Sequence, residues 1–295
     1  MQGDYAQLLD ATIRHLEYLK AHGTKFVPVQ TATLQALGKP APRSAPAVSS
    51  SASHPASKPA SLRLARASSP VPAPTQPPPP AGVPLSREAK EQAMADLRAR
   101  ALACVKCPNL VAARRHVVFG VGDIHSPLMF VGEAPGADED EQGEPFVGKA
   151  GQLLTRIIQT MGLSRETVYI ANILKCRPDT PGQSAGNRKP TPAEMQTCSP
   201  YLLAQIDLIR PRVIVALGAT AVEGLLADKT GIMKLRGHWR EFRGVPVMPT
   251  FHPAYLLRNQ SLAEKRKVWE DMLAVMERLA LPISAKQRGY FLKPA

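Results

Sequence analysis

The chain has 295 residues, 44% of them apolar, and 37 basic against 24 acidic side chains give a formal net charge of +13. That is ample for a core in one or two domains, and it points to an anionic partner, nucleic acid first. No run reaches the roughly 18 apolar residues of a membrane span. The amino terminus, "MQGDYAQLLDATIRHLEYLK", lacks the basic start and apolar block of a signal peptide, so the expectation is a cytoplasmic protein with reduced cysteines.

In chain order, Leu8, Leu9, Ile13, Leu16 and Leu19 recur at helical spacing up to Gly23, which predicts a short amphipathic helix within residues 1–37. Residues 38–85 are rich in Pro, Ala and Ser, hold no acidic residue, and include "PVPAPTQPPPP". Such a segment buries too little surface to offset its ordering entropy and is expected to be a disordered linker. The texture becomes globular at Ser86, and a folded domain is expected over 86–282, with 283–295 as a tail.

Within that domain "SREAKEQAMADLRARALA" reads as a helix. "SPLMFVG", "TVYIANIL", "RVIVALG" and "GVPVMPTF" read as strands, mostly continuous apolar runs as buried parallel strands are. Helical patterns fall between them at about 150–162, 192–210 and 219–228, and a last one covers about 261–280. Alternating strands and helices predict an α/β fold, a three-layer α/β/α arrangement around a mostly parallel four-stranded sheet. Ligands of such sheets bind at the carboxyl ends of the strands.

One strand end is unusual. "GEAPGADEDEQGEPFVGKAG", Gly132 to Gly151, packs five glycines, two prolines and six carboxylates around the single aromatic Phe146. That composition suits a loop that holds a small flat ligand by its backbone. Asn172 and His252 stand at two other strand ends. His252, in "TFHPAYLLRN", is either a structural cap or a hydrogen-bond donor to a ligand. After it, Leu256 and Leu257 are read as projecting from a loop beside Arg258, either into the core or as a wedge into a base stack.

Cys104 and Cys107 form "CVKC". Cys176 ends "NILKC", and Cys198 lies on the following helix, so the second pair is split by 21 residues. A CxxC with two further cysteines in a reduced protein points to a four-thiolate metal site, the alternative being unrelated buried thiols. Spacing alone leaves zinc and an iron–sulfur cluster equally open.

Three motifs in order, "GEAPGADEDEQGEPFVGKAGQLL", "NILKC" and "HPAYLLR", together with the four cysteines, resemble the family-four uracil-DNA glycosylases, the bacterial and archaeal iron–sulfur type. The resemblance covers about residues 88–280 and says nothing of the first 85. It implies a structural 4Fe–4S cluster on Cys104, Cys107, Cys176 and Cys198. It also implies a monofunctional, monomeric enzyme that flips uracil out of single- or double-stranded DNA and hydrolyses its N-glycosidic bond, as the first step of base excision repair. The alternative is a uracil-binding module with little turnover.

On that reading Phe146 stacks on the uracil, the Asn172 amide reads N3–H and O4, and His252 donates to O2. Gly132 and Gly136 bring backbone N–H groups close to the ring. Leu256 or Leu257 fills the vacated stack and Arg258 meets phosphate. The water-activating aspartate of better-known uracil glycosylases falls at Ala134, a pocket position that cannot activate water. Glu133 or Glu139 either orients the water or holds the loop. The segment from Cys176 to Cys198 is about six residues longer than usual, around "DTPGQSAG". One relative captures uracil covalently through a histidine near this place, and here no histidine lies between His125 and His238.

Overall fold

A computed structural model describes residues 85–180 and 183–292. The helix expected over 4–22 and the linker expected over 38–85 lie outside the described residues, Leu85 aside. None of the described helices is long and apolar enough to cross a membrane.

Four short apolar runs form the centre of the sheet: β2 (Leu128–Gly132), β3 (Tyr169–Asn172), β6 (Val213–Leu217) and β8 (Val245–Thr250). They are mutually parallel in the order β3-β2-β6-β8, with Gly132 beside Asn172 and Leu217 beside Thr250. Two strands not foreseen in the sequence close the edges, both antiparallel: β1 (Val121–Gly122) on β3 and β7 (Arg240–Phe242) on β8. The sheet therefore has six strands around the expected four. A separate hairpin, β4 (Asp179–Thr180) with β5 (Gln183–Asn187), accounts for the lengthened segment after Cys176.

Side chains of a strand alternate between its two faces, and both faces are buried here. Met129, Val131, Ile214 and Ala216 join one core cluster with α1 (Arg87–Leu102), α5 (Pro192–Ile209) and α6 (Ala219–Leu226). Leu128, Phe130, Val213 and Val215 join the other with α4 (Lys149–Thr160) and α9 (Leu262–Arg278). Each fully buried side chain of this kind contributes about 1.5–3 kcal/mol. The result is the expected three-layer α/β/α architecture. Helix starts follow their caps: Ser86 Oγ accepts from Ala89 N, and Thr191 forms a reciprocal pair with Glu194.

Between these elements lie the shorter helices α2 (Pro108–Ala113), α3 (Ala137–Gln142), α7 (Ile232–Leu235), α8 (Pro253–Arg258) and α10 (Ala285–Gly289). Two of them change the expected picture. Pro253 does not open a loop: it takes the first position of α8, where its missing N–H is not needed. The segment expected to be a tail carries α10, which is bonded to the fold. Trp269 Nε1 donates to Gln287 O at 2.6 Å, and Gln287 Nε2 donates to Thr160 O at 2.8 Å.

Candidate active site

The carboxyl ends of β2, β3 and β8 surround a cleft of about 400 Å³. Its walls bring together the sequence-predicted Glu133, Ala134, Gly136, Glu139, Phe146, Asn172, His252 and Arg258. Pro178, Asn187 and Arg188, from the hairpin and the chain flanking it, also line it and were not anticipated. Leu256 and Leu257 do not.

Asn172 ends β3 and is 2% exposed. Its Oδ1 is a buried oxygen without a hydrogen-bond partner, alone in this among the described residues. An unpaired buried acceptor is costly, and one that lines a cleft is an acceptor kept for a ligand N–H. Gly132, its sheet neighbour, is required to be glycine: a Cβ there would fall 2.4 Å from both Asn172 Oδ1 and Phe146 Cζ.

Phe146 sits at φ +56°, a strained conformation for a bulky side chain that costs on the order of 1–3 kcal/mol. Arg165 offsets this by donating to Pro145 O at 2.7 Å and to Phe146 O at 2.9 Å. The Phe146 ring lies 5.6 Å from the His252 ring, centroid to centroid, with 32° between the planes.

His252 caps α8. Its Nδ1 accepts from Ala254 N at 3.2 Å, which assigns the ring proton to Nε2. Burial, aided by the charge of Arg258, pushes its pKa down to about 4, so the imidazole is neutral at physiological pH and still a donor.

The acid-rich loop divides its work. Glu139 Oε2 accepts from Gly136 N at 2.9 Å, and its Oε1 accepts from Val147 N and Gly148 N, both at 3.0 Å. The buried Asp140 accepts from Arg115 N and His116 N, and Glu141 pairs with Arg115 at the exposed surface. One expectation changes accordingly, and for Glu139 the geometry matches one of its two expected roles. The Gly136 N–H is taken by Glu139 and is not offered to a ligand. Glu139, with three backbone donors on its carboxylate, is a loop clasp. Glu133 faces the cleft without such bonds.

Leu256 takes the first of its two expected places, the core. It is 5% exposed and packs against Phe251 and Val268, because α8 turns that face toward α9. It cannot act as a wedge. Leu257, one position on, is half-buried, and Arg258 is exposed.

The four cysteines form no disulfide and lie just past α1, at α2's cap, in the chain after β3, and on α5. Burial, then the neighbouring thiols, pushes Cys107 up, and burial pushes Cys198 up to about 11. The thiols thus share one neighbourhood, which also holds donors aimed at sulfur. Arg114 Nη1 donates to Cys176 Sγ at 3.0 Å, and Lys175 N donates to Cys198 Sγ at 3.2 Å. Among the described residues no three His, Cys, Asp or Glu side chains converge as the ligands of one metal ion do. Glu194 joins the two regions. It accepts from Asn109, two residues after Cys107, and from Arg188 of the cleft wall.

The family described as the uracil DNA glycosylase superfamily matches residues 119–273. A type-4 uracil-DNA glycosylase of Thermotoga maritima is 46% identical over 185 residues, 62% of this chain and 93% of its own length. Type-4 uracil-DNA glycosylases of Archaeoglobus fulgidus and Sulfurisphaera tokodaii are 41% and 38% identical, covering 59% and 66% of this chain and 88% and 89% of their own.

Proposed function

Because the chain belongs to the uracil DNA glycosylase superfamily, and within it to the type-4 uracil-DNA glycosylases, we propose that its cleft receives a uracil flipped out of DNA and releases it by hydrolysis of the N-glycosidic bond. The observation that carries this reading is the unpaired, buried Oδ1 of Asn172. An acceptor beside the Asn172 NH2 matches N3–H and O4 of uracil. Cytosine presents the reverse pattern and would leave both groups mismatched.

Phe146 supplies the stacking face, worth about 1–3 kcal/mol per base. As the bond breaks, negative charge gathers on the leaving base. His252 Nε2–H is the donor to O2, and a neutral imidazole gives up no proton in doing so. Its orientation is fixed beforehand by the Ala254 N–H, which is how such a donor favours the transition state. Glu133 is the remaining carboxylate in the cleft for positioning water, since Ala134 cannot and Glu139 is occupied. Leu257 fills the vacated stack and Arg258 meets phosphate.

Cys104, Cys107, Cys176 and Cys198 would hold a 4Fe–4S cluster. The donors to Cys176 and Cys198 sulfur suit thiolate ligands, and the family resemblance favours a cluster over zinc. Such a group would contribute folding stability by tying α1, α2, the end of β3 and α5 together, and no step on the base requires it. The catalytic unit begins near Ser86, and the basic residues before it add affinity for DNA through counterion release.

The test is a uracil-containing oligonucleotide incubated with the full-length protein and then treated with alkali. Strand breaks confined to the uracil position are expected. An intact strand would sink the reading.

A further inference from the structure

We propose that Lys175 is a positioning residue for base selection, holding the peptide that follows Asn172 so that the Asn172 amide meets the pocket in one orientation. The inference rests on the reading of Asn172 as the residue that recognises uracil.

Lys175 is 1% exposed, and its Nζ donates to two neutral oxygens, Asn172 O at 3.0 Å and Gln205 Oε1 at 2.6 Å. A buried ammonium whose hydrogen bonds all go to neutral oxygens is an expensive arrangement, only partly offset by the Phe119 ring 5.9 Å away and by the nearby Cys198 sulfur. The position calls for an account of what the ammonium does.

The end of β3 supplies one. β2 stops at Gly132, level with Asn172, so the ladder ends there. Ile173 N still donates to Gly132 O at 3.0 Å. The carbonyl of that same peptide, Asn172 O, points the other way and takes its donor from Lys175. The peptide is held at both ends, which fixes the direction in which the Asn172 side chain leaves the strand. Gln205 anchors the ammonium from α5 and is itself fixed: its Nε2 donates to Phe119 O at 3.0 Å and to the Tyr169 hydroxyl at 2.9 Å. A chain of bonds thus runs from a core helix to the amide that reads the base. Recognition of this kind needs its groups held within about 0.5 Å, and the holding is done by residues behind the contact.

The experiment compares full-length parent, Lys175→Met, Gln205→Met and Asn172→Ala in four measurements: inhibition by free uracil, single-turnover excision, affinity for uracil-free DNA, and iron content with thermal stability. With iron retained, Lys175→Met should weaken inhibition by free uracil about tenfold and slow excision by up to about 10²-fold, the scale of a small misplacement transmitted to a reacting site. Affinity for uracil-free DNA should stay within about twofold, because phosphate contacts lie elsewhere. A merely structural lysine would lower the unfolding temperature and leave inhibition by free uracil at the parental value, and that result overturns the proposal. Should Lys175→Met fail to fold or lose its iron, Gln205→Met decides. It keeps the lysine but removes its far anchor, and about threefold weaker inhibition by uracil is expected, against parental inhibition if the proposal is wrong. Asn172→Ala separates the two levels. Parental excision in that variant removes the reading of Asn172 itself. Loss of excision there, with Lys175→Met unchanged, removes only the role given to Lys175.

Discussion

Replacing Glu139 by glutamine distinguishes a loop clasp from a water-activating base. In the structure three backbone N–H groups, of Gly136, Val147 and Gly148, converge on its two oxygens at 2.9–3.0 Å. A hydrogen bond to a charged acceptor is worth about 1.5–3 kcal/mol, against about 0.5–1.5 kcal/mol to a neutral one. Glutamine keeps one acceptor oxygen. One or two bonds are therefore lost outright, and an NH2 is set against a backbone N–H. The remainder weaken to neutral strength, for a total of about 4–7 kcal/mol. For a domain of about 200 residues that lowers the unfolding temperature by about 8–28 °C. Thermal unfolding, with single-turnover excision measured well below the transition, reads both quantities. Glu139→Gln should lose stability on this scale. Parental stability with excision slowed by about 10²–10⁴, the range for a general base, would refute the clasp and return Glu139 to the chemistry.

The other expectations are more direct. Asn172→Asp keeps the size but sets an acceptor against O4, so uracil excision should fall by about 10³-fold or more, and a parental rate would make Asn172 a mere strand end. His252→Ala should slow excision by about 10²–10³ with DNA affinity unchanged, the loss of one preorganised donor, and near-normal turnover would pass that role to backbone groups. Cys176→Ser or Cys198→Ser should lower thermal stability and remove the brown colour, absorbing near 400 nm, implied by the family resemblance. A colourless parent containing zinc would contradict the cluster. Glu194 is held at about 2 against a usual 4.5, chiefly by Arg188. Its folded pKa is depressed, so it contributes about 3 kcal/mol above pH ~5 that is lost as pH falls from about 4.5 toward 2. Glu194→Gln should flatten that part of the stability profile, as read by unfolding temperature against pH.

The parts of the fold that the sequence announced are those with a local signature. β2, β3, β6 and β8 are unbroken apolar runs, which only strands buried on both faces need. Asn172 and His252 were visible as polar residues stranded at the ends of such runs. β1 and β7 are two and three residues long, "VG" and "REF", too short for any periodicity. His-Pro suggests a loop, which keeps a wedge role open for Leu256. A proline straight after a capping residue instead opens a helix, and helical spacing then sends Leu256 inward. The spacing of Gly136 and Glu139, a capping residue and an acid three positions on, carried the signal that the Gly136 N–H was already taken. Arg165 behind Phe146 and Gln205 behind Lys175 act across 19 and 30 positions. Such pairs have no sequence pattern, because tertiary packing alone makes them neighbours.

The order of the strands has a consequence for the making of the protein. β8 leads to His252 and is the last of the four parallel strands to be synthesised; it pairs with β6, the parallel strand made just before it, and stands two places from β2. Chains emerge from the ribosome amino end first, at about 5–20 residues per second. Phe146 and Asn172 are therefore exposed to the cell before the residue that completes their chemistry exists. A product cut short before Val245 could carry the stacking ring and the reading amide but no donor for the departing base. On the proposed role of His252, fragments that end before Val245 lack the donor and leave glycosidic bonds intact, and the capacity to break one arrives with about the last sixth of the chain.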